Sequence, residues 1–182
     1  MILSSTCLQR LPLYNIPYLN TFRTDGLPIS LKSLCINGCN NLSFLPLETN
    51  KNYTSLVELV LVNSYEALSS FPLDNFPKLQ SLSIICCDSL ESIFISGTSS
   101  HYSPTLQSLS VFCRKALRSL PQRMDTLTAL EHLILEDIPE LKLSFLPPKL
   151  QLIHICSKKI EVLVSGGCLQ HLTTLSKIDY WR

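Results

Sequence analysis

The chain has 182 residues, of which 36 are leucine, roughly double the leucine share of an average globular protein. Hydrophobic residues make up 46%, charged residues 16%, and the formal net charge is +1. This composition excludes a disordered chain, and the scattered basic residues exclude the clustered positive charge that nucleic acid requires. No unbroken apolar stretch reaches the roughly 18 residues of a membrane-spanning helix, so we expect neither nucleic acid nor a membrane span.

Leucine recurs in one pattern from the start of the chain to its end. A leucine followed three residues later by leucine or isoleucine, and two residues after that by a third apolar or aromatic residue, forms a triplet that occurs eight times. The alternation at the end of each triplet predicts a short β-strand with one buried face. In chain order the triplets are Leu8, Leu11 and Leu13; Leu31, Leu34 and Ile36; Leu56, Leu59 and Leu61; Leu79, Leu82 and Ile84; Leu106, Leu109 and Val111; Leu130, Leu133 and Leu135; Leu150, Ile153 and Ile155; and Leu175, Ile178 and Tyr180.

The distance between triplets identifies the architecture. The steps from one first leucine to the next are 23, 25, 23, 27, 24, 20 and 25 residues, inside the period of roughly 20–29 residues that leucine-rich repeats have. A single repeat cannot bury its leucines, so stability comes from stacking repeats on one another. The uneven steps predict an irregular coil, with bulges at Lys51–Ser55 and Ser96–Pro104.

The sequence therefore predicts a single leucine-rich-repeat domain over residues 1–182, of the α/β class. We expect a right-handed solenoid, or horseshoe, with a parallel β-sheet on its concave face and a mostly irregular or 3-10 convex side. About eight irregular repeats should begin near residues 8, 31, 56, 79, 106, 130, 150 and 175.

The eight cysteines could form disulfides in a secreted protein or hold a metal, but their spacing favours free thiols. Cys39 and Cys87 occupy the same repeat position, just after a predicted strand. There an inward-facing thiol would act as a compact hydrophobe and a weak donor to the turn backbone. Cys86 and Cys113 lie one position earlier. No Cys-x-x-Cys pair offers a local clamp for zinc, so disulfides and a metal site stay as the weaker alternatives.

Motifs of catalysis and cofactor binding are missing from the sequence. It contains no phosphate-binding loop, dinucleotide fingerprint, nucleophile elbow or His-Glu-x-x-His motif. His132 and His154 fall on the outward faces of neighbouring strands close to Cys156, which would permit a Cys/His dyad. That dyad lacks an evident orienting group or oxyanion donor in the sequence, so we predict no enzyme activity, no metal and no cofactor on this chain.

The residues between the inward leucines project from the predicted concave face. The sheet gathers their apolar side chains into one band, and bands of this kind mark interaction sites. The alternative is that they are ordinary scattered apolar residues on a surface. We interpret the face as a protein-binding surface whose candidate residues are Tyr14, Glu58, Val60, Val62, Ile85, Phe112, His132, Ile134, Glu136, Leu152, His154 and Trp181.

Four segments carry a resemblance to a known family. They are Leu31–Pro46, Leu79–Leu90, Leu120–Leu133 and Leu146–Gln151. With the repeats around them they resemble plant intracellular nucleotide-binding leucine-rich-repeat disease resistance proteins, particularly the coiled-coil type. The resemblance covers the whole chain.

The resemblance implies a function. In that family the repeats sense a pathogen effector or its host target and regulate an adjacent nucleotide switch in a cytoplasmic receptor. It implies protein partners, including the receptor's own nucleotide-binding domain. ATP or ADP would be bound by that domain, which is absent from this chain, so we expect the chain to be a fragment of a longer receptor. The alternative is a leucine-rich-repeat scaffold, or the substrate-binding half of an intracellular ubiquitin-ligase adaptor.

Overall fold

Short parallel strands, one for each predicted triplet, form the frame of the molecule. The computed structural model describes residues 7–20, 27–42, 53–64, 68–96, 105–113, 117–122, 124–138, 146–156 and 172–181, with side chains up to Lys177 in the last range. Apart from two short 3-10 helices, Leu73–Asn75 and Met124–Thr126, these ranges contain no helix. The strands are β1 (Arg10–Tyr14), β2 (Ser33–Asn37), β3 (Glu58–Val62), β4 (Ser70–Pro72), β5 (Ser81–Ile85), β6 (Ser92–Phe94), β7 (Ser108–Phe112), β8 (His132–Glu136), β9 (Leu152–Cys156) and β10 (Lys177–Trp181).

Eight of the strands form one parallel sheet in the order β1-β2-β3-β5-β7-β8-β9-β10. In every neighbouring pair the first residue of one strand is paired with the first residue of the next, and so on along the strands. The second residues show this, since Leu34 pairs with Leu59 and Leu59 with Leu82. The last two residues of each predicted triplet lie on one of these strands. The predicted leucine-rich-repeat solenoid with a parallel sheet is therefore confirmed.

The inward residues of successive strands form one continuous apolar core. From β2 to β8 their exposed fraction is 0–1%, for example at Leu34, Leu82 and Leu133. Leu11 on β1 is 9% exposed and Leu13 is only half-buried, because among the described residues β1 has a neighbouring strand on one side alone. Burial thus depends on stacking, as expected when one repeat cannot cover its own leucines.

A tight turn follows most strands of the large sheet. The residue directly after the strand takes a left-handed conformation in five turns, and asparagine, aspartate and glycine tolerate this backbone best. These residues are Asn15 (φ 50°), Gly38 (φ 66°), Asn63 (φ 44°), Cys86 (φ 52°) and Asp137 (φ 55°). In four of these turns the following residue points inward, and Cys39, Ser64, Cys87 and Ile138 are buried. After Asn15, on the edge strand, Ile16 is 38% exposed.

The turn after β7 differs from the others. The sequence places Cys113 in the same position as Cys86, directly after its strand, but Cys113 is fully buried and Cys86 is half-buried. Cys113 is not in the left-handed conformation. It therefore occupies the inward position one residue earlier than Cys39 and Cys87 do in their repeats.

Small polar side chains at this inward position connect successive repeats. Ser64 Oγ accepts a hydrogen bond from the backbone N–H of Cys39 at 3.1 Å and donates one to the Val62 carbonyl at 2.7 Å. At the same position the buried Cys87 thiol lies 3.6 Å from the Ile85 carbonyl and 4.0 Å from the Leu61 carbonyl of the preceding repeat, and Cys113 is buried in the repeat that follows. We call this set, Cys39, Ser64, Cys87 and Cys113, the polar ladder.

The predicted role of the thiols at Cys39 and Cys87 is confirmed. Both are buried, and each lies close to the carbonyl two residues earlier, at 3.7 Å for Cys39 and 3.6 Å for Cys87. Burial raises the pKa of the Cys87 thiol and raises that of Cys113 to about 12. The free thiols include Cys35, Cys39, Cys86, Cys87, Cys113 and Cys156, which decides against disulfides among these six.

The convex side contains a second sheet that the sequence did not predict. β4 and β6 pair in parallel, and Ser92 also forms an isolated bridge with Ser119 of the next repeat. Phe71 and Ile93 point inward from this sheet and are fully buried. The Phe71 ring stacks on Phe76 with centroids 5.1 Å apart, and Phe76 stacks on Tyr53 at the same distance. An aromatic stack thus fills the core beneath the convex side.

Two remaining sequence predictions concern the bulges and the membrane. Residues 53–55 lie in a turn region before β3, whereas residues 51–52 and 97–104 lie outside the described residues. No helix in the described ranges has the length and apolar character to cross a membrane.

Candidate protein-binding face

The outward residues of the large sheet lie in three straight rows across the strands. Because all neighbouring strands share one register, the first, third and fifth residues of each strand are aligned with those of the next. Neighbouring side chains in a row lie about 4.8 Å apart, the spacing of paired strands. All twelve candidate residues hold positions in these rows, and the eleven whose side chains are described lie on one face.

The third row contains the longest apolar run of this face. Val62, Ile85 and Phe112 are consecutive in it, on the adjacent strands β3, β5 and β7. Each is half-buried, which leaves part of its side chain in contact with solvent. We call these three residues the apolar ridge; at about 4.8 Å per strand it is about 10 Å long.

Beside the apolar ridge, four serines occupy the first and second rows. Ser81 pairs with Ser108 and Ser83 pairs with Ser110, so the four side chains form a block on β5 and β7. We call this block the serine floor. Val60 precedes it in the second row and Ile134 follows it. Because serine side chains are shorter than those of Val60 and Ile134, we infer a shallow depression of the face over the serine floor.

Sequence reasoning missed the serine floor because it selected large and charged residues. The outward positions of β5 and β7 are the signal that could have found it. They read Ser81-x-Ser83 and Ser108-x-Ser110 on two successive repeats.

Two carboxylates lie on opposite sides of this apolar region. On β3, Glu58 Oε2 accepts a hydrogen bond from the Ser33 hydroxyl at 2.7 Å, which holds the side chain against the sheet. On β8, Glu136 Oε1 lies 3.1 Å from His154 Nε2, and the Glu136 side chain is 38% exposed. The structure thus brings Glu136 and His154 together, as neighbours on adjacent strands.

The remaining candidate residues lie towards the two ends of the sheet. Tyr14 on β1 is 58% exposed, and Asn37 separates it from Val62 in the third row. A contact with the Cys35 thiol raises the pKa of the Tyr14 hydroxyl. Leu152 lies between His132 and Lys177 in the first row. The backbone of Trp181 ends β10, but its side chain lies outside the described residues.

The Cys/His alternative gains an orienting group that the sequence did not reveal. His154 and Cys156 lie two residues apart on β9 and project to the same face, with Glu136 paired to Cys156 in register. Glu136 contacts His154, whereas His132 lies one strand away, opposite Leu152. Among the described residues, no three His, Cys, Asp or Glu side chains are grouped so that they could hold a metal ion.

Comparison with known proteins gives one informative relative. A segment of 78 residues, 42% of this chain, is 38% identical to a candidate disease resistance protein of Arabidopsis thaliana. The segment covers 6% of that protein's length. No protein-family model matches the chain. The chain is thus a solenoid of stacked parallel strands, and part of it is similar in sequence to a plant disease resistance protein.

Proposed function

We propose that the chain is the protein-recognition region of a plant immune receptor and that it binds its partner through the concave face of the large sheet. The observation that carries the proposal is the apolar ridge of Val62, Ile85 and Phe112, with Val60 and Ile134 beside it in the second row. A solvated sheet has no need of such a band, and apolar bands with an aromatic anchor are where protein partners bind.

The similarity to a disease resistance protein favours one of the two biological roles considered above. Because the relative is named a disease resistance protein, we propose a role in plant defence rather than in a ubiquitin-ligase adaptor. On this proposal the repeats sense a pathogen effector or its host target inside the cell and regulate an adjacent nucleotide switch. ATP or ADP would then be bound by a separate nucleotide-binding domain, and the present chain would recognise its partner without catalysis.

The experiment replaces Phe112 and Ile134 by glutamate in the receptor that contains these repeats. Both side chains project from the sheet, so the core leucines keep their contacts and the receptor accumulates normally. We expect the defence response of leaf tissue to the inducing pathogen to be lost, because two charges now lie in the apolar contact. An unchanged response at equal receptor abundance would contradict the proposal.

A matched control tests whether position matters. Phe94 ends β6 on the convex side and is 37% exposed. Replacing Phe94 by glutamate adds a charge at another exposed phenylalanine, away from the concave face. We expect the response to survive this change.

A further inference from the structure

We infer that the concave face binds a partner segment in which apolar side chains are flanked on both sides by basic ones. The inference rests on the proposed function and specifies the chemistry of its partner. It comes from the charge pattern on β2, β3, β5, β7 and β8. Among the fifteen outward residues of these strands, Glu58 and Glu136 carry the formal charges, and both are acidic.

The positions of the two carboxylates frame the apolar region. Glu58 is the first residue of β3 and Glu136 the last of β8, so the line between them crosses the serine floor diagonally. The cationic residues Arg10 and Lys177 lie on β1 and β10, at the two ends of the sheet. A partner cation near the centre of the face therefore meets an acid, whereas a partner anion meets no lysine or arginine there.

The separation of the carboxylates sets the length of the partner segment. Three strand steps of about 4.8 Å and four residues of about 3.3 Å along the strand give a diagonal of about 20 Å. An extended segment covers that distance in about six residues. The two basic residues should thus lie about six positions apart, with apolar side chains between them that enter the depression above the serine floor.

Each carboxylate is already held in place. The Ser33 hydroxyl fixes Glu58 from the neighbouring strand, and His154 contacts Glu136 while leaving part of that side chain exposed. Less side-chain freedom is then lost when a cation binds, which favours the charged contact.

The test uses fluorescein-labelled synthetic peptides and the full chain, with binding measured by fluorescence anisotropy. The basic peptide is Gly-Lys-Ser-Leu-Phe-Leu-Ser-Lys-Gly, and the acidic peptide has glutamate in place of both lysines. A third peptide has the two lysines next to each other. We expect the basic peptide to bind about tenfold more tightly than the acidic peptide, which loses both charge pairs, and about threefold more tightly than the third peptide, which keeps one pair, since each exposed charge pair contributes a modest amount.

Charge reversal on the protein checks where the peptide binds. In the Glu58→Lys, Glu136→Lys double variant we expect the preference to change to the acidic peptide. Glu91→Lys is the matched control, because Glu91 is exposed next to β6 on the convex side, and it should leave both affinities unchanged. Circular dichroism confirms that all variants remain folded.

Three outcomes overturn the inference. If the basic and acidic peptides bind equally well and Phe112→Glu abolishes the binding of both, the inferred charge preference is wrong. The concave face then remains a binding surface. If the basic peptide binds but no concave-face variant alters its affinity, the binding site lies elsewhere. That result counts against the proposed function as well. Absence of binding by every peptide at millimolar concentration also overturns the inference.

Discussion

Single polar side chains in the interior connect one repeat to the next. Ser64 is buried, with 4% of its surface exposed, and its hydroxyl serves both the Cys39 N–H and the Val62 carbonyl. A buried backbone N–H that loses its acceptor costs the desolvation of that group. The polar ladder therefore stabilises the stack through contacts that the leucine pattern does not reveal.

Replacing Ser64 by alanine should lower the free energy of unfolding by about 1–3 kcal/mol, because the Cys39 N–H then has no acceptor. Urea unfolding measures the change. Ser64→Cys should recover part of the loss, since a thiol fills the equivalent place at Cys87. Ser69→Ala, at an exposed serine, should change stability by less than about 0.5 kcal/mol. Equal effects at Ser64 and Ser69 would contradict the role of the ladder.

The buried thiols also predict how stability depends on alkaline pH. Burial raises the pKa of Cys113 from an ordinary value of 9.0 to about 12, and burial raises the pKa of Tyr53 from 10.0 to about 12. The unfolded thiol loses its proton near its ordinary pKa, whereas the folded thiol keeps it. The contribution of Cys113 is therefore complete below about pH 9 and is lost as the pH rises towards about 12.

We expect the urea midpoint to fall between pH 8 and pH 10.5, and to fall less in Cys113→Ser, whose hydroxyl does not ionise in this range. Tyr53 and Cys87 keep the remaining dependence in that variant. Identical slopes for the two proteins would show that Cys113 does not contribute.

Strands of the large sheet depend on their alternation of inward and outward residues. On β7, Leu109 and Val111 are fully buried, while Ser108, Ser110 and Phe112 face outward. A charge at an inward position has no partner among stacked leucines, and burying an unpaired charge has a large cost in free energy. One strand thus offers two neighbouring positions at which the same substitution has opposite consequences.

Leu109→Asp should unfold the array, whereas Ser110→Asp, one residue later, should leave it folded. Thermal unfolding followed by circular dichroism measures both. A melt at the wild-type temperature for Leu109→Asp would contradict the assignment of inward residues, and unfolding by Ser110→Asp would contradict the outward assignment of the row.

The strands differ in how well the sequence predicts them. The large sheet follows from the triplets, because a leucine core demands both the alternation and the period. The second sheet does not, because β4 has three residues, ends at Pro72 and shows no alternation. Its pairing with β6 depends on how far each repeat extends before it turns back. The inward position of Cys113 was also not predicted. It depends on the conformation of the turn after β7, where Cys113 lacks the left-handed conformation found in the other turns.

Across the whole molecule, the solenoid separates the residues that form the core from those that form the outward face of the sheet. Stacking removes the inward residues from solvent, and the common register aligns the outward residues of the strands into rows on one face. The sequence predicted which residues lie on that face, because the strand period assigns them. It did not predict the Glu58–Ser33 and Glu136–His154 contacts, which depend on side-chain conformations across neighbouring strands.

Photo-cross-linking tests whether a protein partner binds the concave face. Benzoylphenylalanine is placed at Phe112 or, as the control, at Phe94 on the convex side, in the receptor expressed in pathogen-challenged leaves. We predict a covalent adduct with a protein partner from position 112, absent from position 94 and abolished by Ile134→Glu. An adduct from position 94 but not from position 112 would contradict binding at the concave face.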